Sequence, residues 1–174
     1  MIRKGVFMIV FLIPVLTGID IVFKYAINQM HKEDLPRKLG SSIEIDRFHN
    51  EGFPFGKFKE NQKLVKYLPV FITSLLVGRL SLLLPKKGRK MEKISLCLII
   101  AGSLSNLFDR FSRGYVVDYL RIKKKVADKV VFNLGDVFIL LGSLMLPLVG
   151  KKKAVLKPNA GIEEDSDITK NAEK

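Results

Sequence analysis

Four nearly continuous apolar runs divide the chain, at residues 5–19, 67–84, 94–108 and 130–149. A helix needs about 20 residues to cross a bilayer, and fewer where its ends merge into polar protein surface. The second and fourth runs have that length, the first reaches it only by including Asp20 and Lys24, and the third is short with a polar end. A soluble core could account for one such run, but four in 174 residues predict a membrane protein with four transmembrane helices.

The charged segments between the runs predict the topology. Basic clusters at residues 3–4, 86–93 and 151–157 flank the spans, and the positive-inside rule places these segments and both termini in the cytoplasm. The outer loops are then residues 28–66 and 109–129, although these also carry Lys and Arg. We expect a membrane domain over residues 1–150 and a polar, disordered cytoplasmic tail over 151–174. No A-x-A cleavage site follows the first run, so we expect an uncleaved first helix.

The first outer loop has a pattern of its own. Ile43 and Ile45 alternate with polar residues, with Phe48 out of step, which predicts a short amphipathic strand. Residues 49–56 predict a turn-rich loop with exposed aromatic side chains, and residues 115–117 a further extended piece. The fold class predicted is a mainly α membrane protein: four transmembrane helices with a small extracytoplasmic sheet, the β-cradle, formed by the first outer loop.

Composition narrows the choice of partners. The net charge is +13, but the basic residues cluster beside apolar spans, which favours anionic membrane lipid over nucleic acid as a partner. One cysteine, Cys97, lies within the third run and forms no disulfide or Cys-ligated metal site. Two histidines are too few for a zinc motif. We therefore expect no metal, and we expect a monomer.

Several polar residues lie inside or beside the spans, where ionisable groups are costly and are functional candidates by default. Asp20 and Lys24 have i, i+4 spacing near the outer interface, as either a snorkelling pair that ends the span or an orienting or substrate-contacting pair. Asn106, Asp109 and Arg110 share one helical face. That spacing is compatible both with a catalytic role for Asp109 and Arg110 and with a structural Asp109–Arg110 pair.

Asp118 and Asp136 suggest a pair of carboxylates. Asp136 lies about one turn inside an apolar helix, on the same face as Asn133, and nothing in that span can neutralise it. Asp118, in the preceding outer loop, can reach the same place. Two carboxylates in one partly desolvated site have split pKa values, so that one activates water while the other, protonated, polarises a carbonyl. An ion or proton pathway and a structural polar cap remain open as alternatives.

These motifs resemble the lipoprotein signal peptidase (signal peptidase II) family over roughly residues 15–145. DIVFK at 20–24 resembles D-x-x-T/S-K, and NEGFPFG at 50–56 resembles N-x-G-A-A-F-G. NLFDR at 106–110 with GYVVDY at 114–119 resembles G-N-L-x-D-R-x-x-x-G-x-V-V-D-F/Y, and FNLGD at 132–136 resembles F-N-x-A-D.

The resemblance implies an intramembrane aspartic endopeptidase without metal or organic cofactor. It would remove signal peptides from diacylglyceryl-modified bacterial prolipoproteins, cleaving before the lipidated Cys near the outer face of the cytoplasmic (inner) membrane. Asp118 and Asp136 would be the catalytic pair. The residues that would bind substrate or support the pair are Asp20, Lys24, Asn50, Gly52, Phe55, Asn106, Asp109, Arg110 and Asn133.

Departures from the family pattern leave rival functions. Phe53 and Pro54 replace two alanines, and Gly135 replaces an alanine of F-N-x-A-D. A non-catalytic paralogue that binds lipidated peptides or lipid is the alternative, and a small transporter is a second. Arg79 is the one charge expected in the inner half of a span, and it can snorkel to the cytoplasm, which argues against a polar path through the bundle.

Overall fold

The computed structural model describes residues 4–53, 57–123 and 130–155. The helices are α1 (Lys4–Asn28), α2 (Gln62–Leu83), α3 (Lys90–Ser112) and α4 (Leu134–Val155). The strands are β1 (Arg37–Leu39), β2 (Ile43–Asn50), β3 (Val116–Ile122) and β4 (Val131–Phe132). A mainly helical protein with a small sheet is therefore confirmed.

Three of these helices contain segments long and apolar enough to cross a membrane: Phe7–Asn28, Gln62–Leu83 and Lys90–Ser112. The apolar part of α4, Leu134–Pro147, is shorter. Membrane-spanning helices are confirmed, and the count of four spans stays a prediction.

The third helix is the centre of the bundle. It packs against α1, α2 and α4. Two thirds of its apolar window (67%) is buried, against 11% for α1 and 17% for α2. The outer faces of the other helices carry exposed large apolar side chains, among them Phe11, Phe71 and Leu144. Since such faces are costly in water, they suit a lipid surround.

Small residues let α3 and α4 approach closely. A Cβ on Gly102 would lie 2.1 Å from the carbonyl oxygen of Gly135, and one on Gly142 would lie 2.6 Å from the carbonyl oxygen of Ser95. Because the two backbones approach so closely, no residue larger than glycine fits at these two positions. The contact fixes the first turn of α4 against the end of α3 that carries the polar motif.

The strands form one antiparallel sheet in the order β1-β2-β3-β4. The register between β2 and β3 shifts between Ile45 and Phe48, a bulge that explains why Phe48 is out of step with the alternation. The predicted β2 is confirmed, but the β-cradle is not formed by the first outer loop alone. Half of its strands, β3 and β4, come from the segment between α3 and α4.

The helices extend beyond the apolar runs. Because α3 continues to Ser112, Asp109 and Arg110 lie in its last turns and not in an outer loop beginning at residue 109. Similarly, α4 runs to Val155, past the predicted boundary at residue 150. Residues 156–174 lie outside the described part, and the disordered tail stays a prediction.

The end of the bundle at the α2–α3 turn carries more charge than expected. Arg79 does not stand alone there, because its Nη2 atom lies 3.0 Å from Oε1 of Glu92, in the first turn of α3. Glu92 and Lys93 are both buried. The expectation that Arg79 is the one charge in this half of the spans was wrong, because α3 begins at Lys90, four residues before its apolar run, and brings Glu92 and Lys93 into the bundle.

Candidate active site

Asp118, in β3, and Asp136, in the first turn of α4, are joined through one residue. Asn133 donates its side-chain N–H to Asp118 Oδ1 at 2.8 Å and its backbone N–H to Asp136 Oδ2 at 3.2 Å. Its Oδ1 accepts the backbone N–H of Asp136 at 2.9 Å. Because β4 pairs with β3 up to Phe132, the chain enters α4 beside Asp118. The two carboxylates that the sequence singled out therefore share a site.

Two further amides complete the contacts of the carboxylates. Asn50 Nδ2 donates to Asp118 Oδ2 at 3.0 Å, and Asn106 Nδ2 donates to Asp136 Oδ1 at 2.8 Å. Each of the four carboxylate oxygens thus accepts an N–H from an uncharged donor. Such donors favour ionisation without neutralising the charge.

Burial acts against ionisation of Asp118. The residue is only 5% exposed. Burial, followed by the charge of nearby Asp136, raises the pKa of Asp118 from 3.8 to about 6, against the opposing hydrogen bonds from Asn50 and Asn133. The pair can therefore hold a proton at a pH where an ordinary aspartic acid has lost it.

A buried ion network lies behind this site. Lys24 Nζ lies 2.9 Å from Asp20 Oδ2 and 3.4 Å from Asp109 Oδ2, and none of the three side chains is exposed. The snorkelling interpretation of Asp20 and Lys24 was wrong, because α1 continues to Asn28 and covers both. Their burial also rules out direct substrate contact in this arrangement, which leaves the orienting role.

Lys24 determines which way Asn106 points. Its ammonium donates to Asn106 Oδ1 at 2.7 Å, so the amide group of Asn106 is the end that faces Asp136. An ammonium can only donate, and a flipped amide would place two donors in contact. The chain of contacts Lys24–Asn106–Asp136 thus carries the orientation from α1 to the candidate site.

Tyr119 and Ser105 belong to the same network, and their hydrogen-bonding roles were missed from the sequence. The Tyr119 hydroxyl donates to Asp20 Oδ1 at 3.0 Å and accepts the backbone N–H of Leu134 at 3.2 Å. Ser105 Oγ donates to Asp20 Oδ2 at 2.6 Å. Burial raises the pKa of the Tyr119 phenol, which keeps its proton. Strand alternation was the available signal, since it directs Tyr119 away from the face that carries Asp118.

Asp109 and Arg110 have different partners from those expected. Asp109 binds Arg113 and accepts the backbone N–H of Val117 at 3.1 Å, bracing α3 against β3. Arg110 instead donates to the carbonyl oxygen of Gly52 at 3.2 Å. Its buried Nε has no hydrogen-bond partner within the described residues.

The loop after β2 is held next to the site. Asn50 Oδ1 accepts the backbone N–H of Gly52 at 3.1 Å, so Asn50 binds both the loop and Asp118. Phe53 pairs with Lys57 across the loop, and its ring meets the edge of Phe58. Residues 54–56 lie outside the described part, so the substrate-binding role of Phe55 stays a prediction.

Across the described ranges 4–53, 57–123 and 130–155, no group of three or more His, Cys, Asp or Glu side chains could hold a metal ion. Asp118 and Asp136 are surrounded by amide donors.

Comparison with known proteins gives one consistent result. The family model described as signal peptidase (SPase) II matches residues 12–149. The lipoprotein signal peptidase of Moorella thermoacetica is 33% identical over 131 residues, covering 74% of this chain and 83% of that protein. The lipoprotein signal peptidase of Clostridium tetani is 37% identical over 100 residues, covering 56% of this chain and 62% of that protein.

Solved structures agree on the fold. A bacterial membrane enzyme determined by the in meso method superposes with a TM-score of 0.72 at 20% identity, covering 90% of this chain and 94% of that one. A second such enzyme gives a TM-score of 0.65 at 22% identity, covering 86% and 93%. At this identity the likeness concerns the fold alone.

Proposed function

Because this chain belongs to the signal peptidase II family, we propose that it is an aspartic endopeptidase with Asp118 and Asp136 as its catalytic pair. Peptidase activity that removes signal peptides from prolipoproteins follows from the family. The aspartic mechanism, cleavage before a diacylglyceryl-modified Cys, and the residue roles are the further steps proposed here.

The observation that carries the proposal is the bridge through Asn133. Its amide and backbone contact both carboxylates, and the raised pKa of Asp118, about 6, lets the pair share one proton. In the proposed reaction the ionised carboxylate takes a proton from water, which attacks the scissile carbonyl carbon. The protonated carboxyl donates to the carbonyl oxygen. The C–N bond then breaks as the leaving nitrogen receives the proton that was taken from water, and the carbonyl re-forms as its oxygen returns the other proton to the pair.

Other residues would position the substrate. Arg110 is buried and donates to the Gly52 carbonyl, so it would hold the loop that faces the substrate. Asn50 links this loop to Asp118. We propose that the loop from Asn50 to Gly52 forms the rim of the substrate site. Phe55 is included on the resemblance alone.

The proposed membrane arrangement has four spans, with α4 as the fourth. The basic segments at residues 3–4, 86–93 and 151–157 support cytoplasmic termini and a site near the outer face of the bacterial inner membrane. The same basic clusters support anionic lipid as a partner. We propose that the working unit is a monomer, because both carboxylates and their donors come from one chain.

Cleavage of a diacylglyceryl-modified prolipoprotein, in detergent or lipid, tests the mechanism. Asp118→Asn and Asp136→Asn should each lower the rate by about a thousand-fold or more, since the amide can neither accept nor supply the proton. Asp34→Asn, an exposed acid outside the site, is the matched control and should cleave as the wild type does. A folded wild type that binds the substrate without cutting it would reject the protease in favour of the binding paralogue.

A further inference from the structure

A surface cavity lies at the opposite end of the bundle from the candidate active site. It is formed by the last turns of α2, the α2–α3 turn and the first turn of α3, and its volume is about 550 Å³. The proposed peptidase reaction uses none of its residues. Its lining combines basic side chains from α2 and the turn with apolar side chains from α2.

The basic side chains outnumber the acid that accompanies them. Arg79, Lys86 and Arg89 line the cavity with Glu92 as the single acidic residue of the lining, leaving a charge of +2. Glu92 holds both guanidinium groups, with its Oε1 3.0 Å from Arg79 Nη2 and its Oε2 2.7 Å from Arg89 Nε. The buried carboxylate thus orders the two arginines while neutralising only one of the three positive charges.

The turn that carries Lys86 and Arg89 is itself anchored. Lys93 donates to the carbonyl oxygens of Leu84 at 3.0 Å and Lys86 at 2.7 Å, so it closes the end of α2. A mobile basic loop would lose entropy on ordering around an anion, and this one is already fixed.

The remaining wall of the cavity is apolar and open. Leu75 and Leu82 are 60% and 74% exposed along α2. Gly78 lies between them in the lining, and a Cβ placed on it would meet nothing within 4 Å. A hydrocarbon chain can therefore lie along α2 over Gly78 with its charged end at Arg79.

We propose that this cavity binds an anionic glycerophospholipid. Its phosphodiester lies at Arg79, Lys86 and Arg89, and an acyl chain lies along Leu75, Gly78 and Leu82. Charge complementarity selects the headgroup, because a phosphodiester is an anion that guanidinium groups bind well. The exposed apolar wall selects a lipid over a free phosphate. The position at the end of a membrane-spanning helix, where a headgroup lies, suits the same ligand.

Native mass spectrometry of the purified full chain, titrated with phosphatidylglycerol or phosphatidylcholine, tests the proposal. The first phosphatidylglycerol should bind at least several-fold more tightly than phosphatidylcholine. Arg79→Gln should weaken it about five-fold, the factor expected for one basic side chain near an anionic group. Gly78→Leu should weaken both lipids while leaving every charge in place, because its side chain fills the path of the acyl chain.

Two matched controls test whether the effects are specific to this site, one for the loss of a positive charge elsewhere and one for a leucine added to another helix. Lys63→Gln removes an exposed charge at the other end of α2, and Gly18→Leu adds the same side chain at an open position of α1. Both should bind phosphatidylglycerol like the wild type. Equal binding by all five proteins, or equal affinity for the two lipids, would overturn the proposal. Competition by inorganic phosphate at millimolar concentration would show an anion site without lipid selectivity, which would also overturn it.

Discussion

The Asp118→Asn variant should change the stability of the protein as well as its activity, and the change should depend on pH. A carboxyl whose pKa is raised by folding makes the folded state bind its proton more tightly than the unfolded state does. The stabilisation of the folded state by the protonated carboxyl is complete below the unfolded pKa and is lost as pH rises through the folded pKa. The amide cannot titrate, so the variant lacks this loss.

The magnitude follows from the pKa of Asp118. Folding raises it from 3.8 to about 6. At 1.36 kcal/mol per pKa unit, the shift corresponds to about 3 kcal/mol of unfolding free energy. The wild type should lose this amount between about pH 3 and pH 7, relative to the variant, and most of it above pH 4. In a domain of this size the difference corresponds to roughly 6–12 °C in Tm.

The substitution also has a cost that does not depend on pH. Asn50 and Asn133 both donate to Asp118, so an amide at this position places one N–H₂ group against another donor. That conflict costs about 1–3 kcal/mol at every pH. The prediction therefore concerns the change with pH in the stability difference, and the sign of the difference at a single pH does not decide it.

Thermal unfolding of the purified proteins in one detergent, at pH 4 and pH 7.5, measures the effect. The Tm of Asp118→Asn minus that of the wild type should be higher at pH 7.5 than at pH 4. Asp34→Asn, which removes an exposed carboxyl, should show no such trend. A stability difference that stays constant between the two pH values would refute the argument that burial and a neighbouring charge make ionised Asp118 costly.

Three other predictions concern the Asp118 pKa, the buried ion network of Lys24 and the packing of two glycines. The kcat/KM for cleavage should fall as pH rises above about 6, where Asp118 loses its proton. In a pH–rate profile, Asn50→Ala should move that fall to higher pH, because the variant lacks a donor that lowers the Asp118 pKa. An unmoved profile would contradict the contact. Lys24→Met should lower the free energy of unfolding by about 3–5 kcal/mol in a melt at neutral pH, because two buried carboxylates lose their cation. A loss below about 1 kcal/mol would contradict the buried ion network. Gly102→Ala should cost about 1–3 kcal/mol because its Cβ would lie 2.1 Å from a backbone oxygen of α4, whereas Gly78→Ala, with nothing within 4 Å, should melt at or above the wild-type Tm. Equal melting temperatures for the two glycine variants would contradict the close packing.

The sequence predicted best what depends on local spacing and on the cost of burying charge. Asp136 stood out because a carboxylate one turn inside an apolar helix needs a partner, a proton or water. The structure supplies Asn106 and Asn133 as donors and brings Asp118 close by. The helical spacing of Asn106 and Asp109 likewise placed both on the face of α3 that is buried in the bundle.

What the sequence could not predict depends on pairing between distant segments. The β-cradle was assigned to the first outer loop because its alternation lies in β2, but strand partners are set by tertiary contacts, and β2 pairs with β3. The hydrogen bonds of Tyr119 depend on where α1 and α4 lie, which no periodicity reveals. Arg79 was misjudged for the same reason, since its partner Glu92 belongs to another helix.

One departure from the family motif has a local physical explanation. A Cβ on Gly135 would lie 2.8 Å from Asp20 Oδ2 and 3.0 Å from Asn133 Oδ1. The Asp20 carboxylate is held by Lys24 and Tyr119, so it has little freedom to move away. The alanine of F-N-x-A-D would therefore crowd the network in this arrangement, while glycine lets the first turn of α4 approach it. Because Asn133 immediately precedes that turn and contacts both carboxylates, the small residue at 135 is a condition of the site's geometry and not a neutral change.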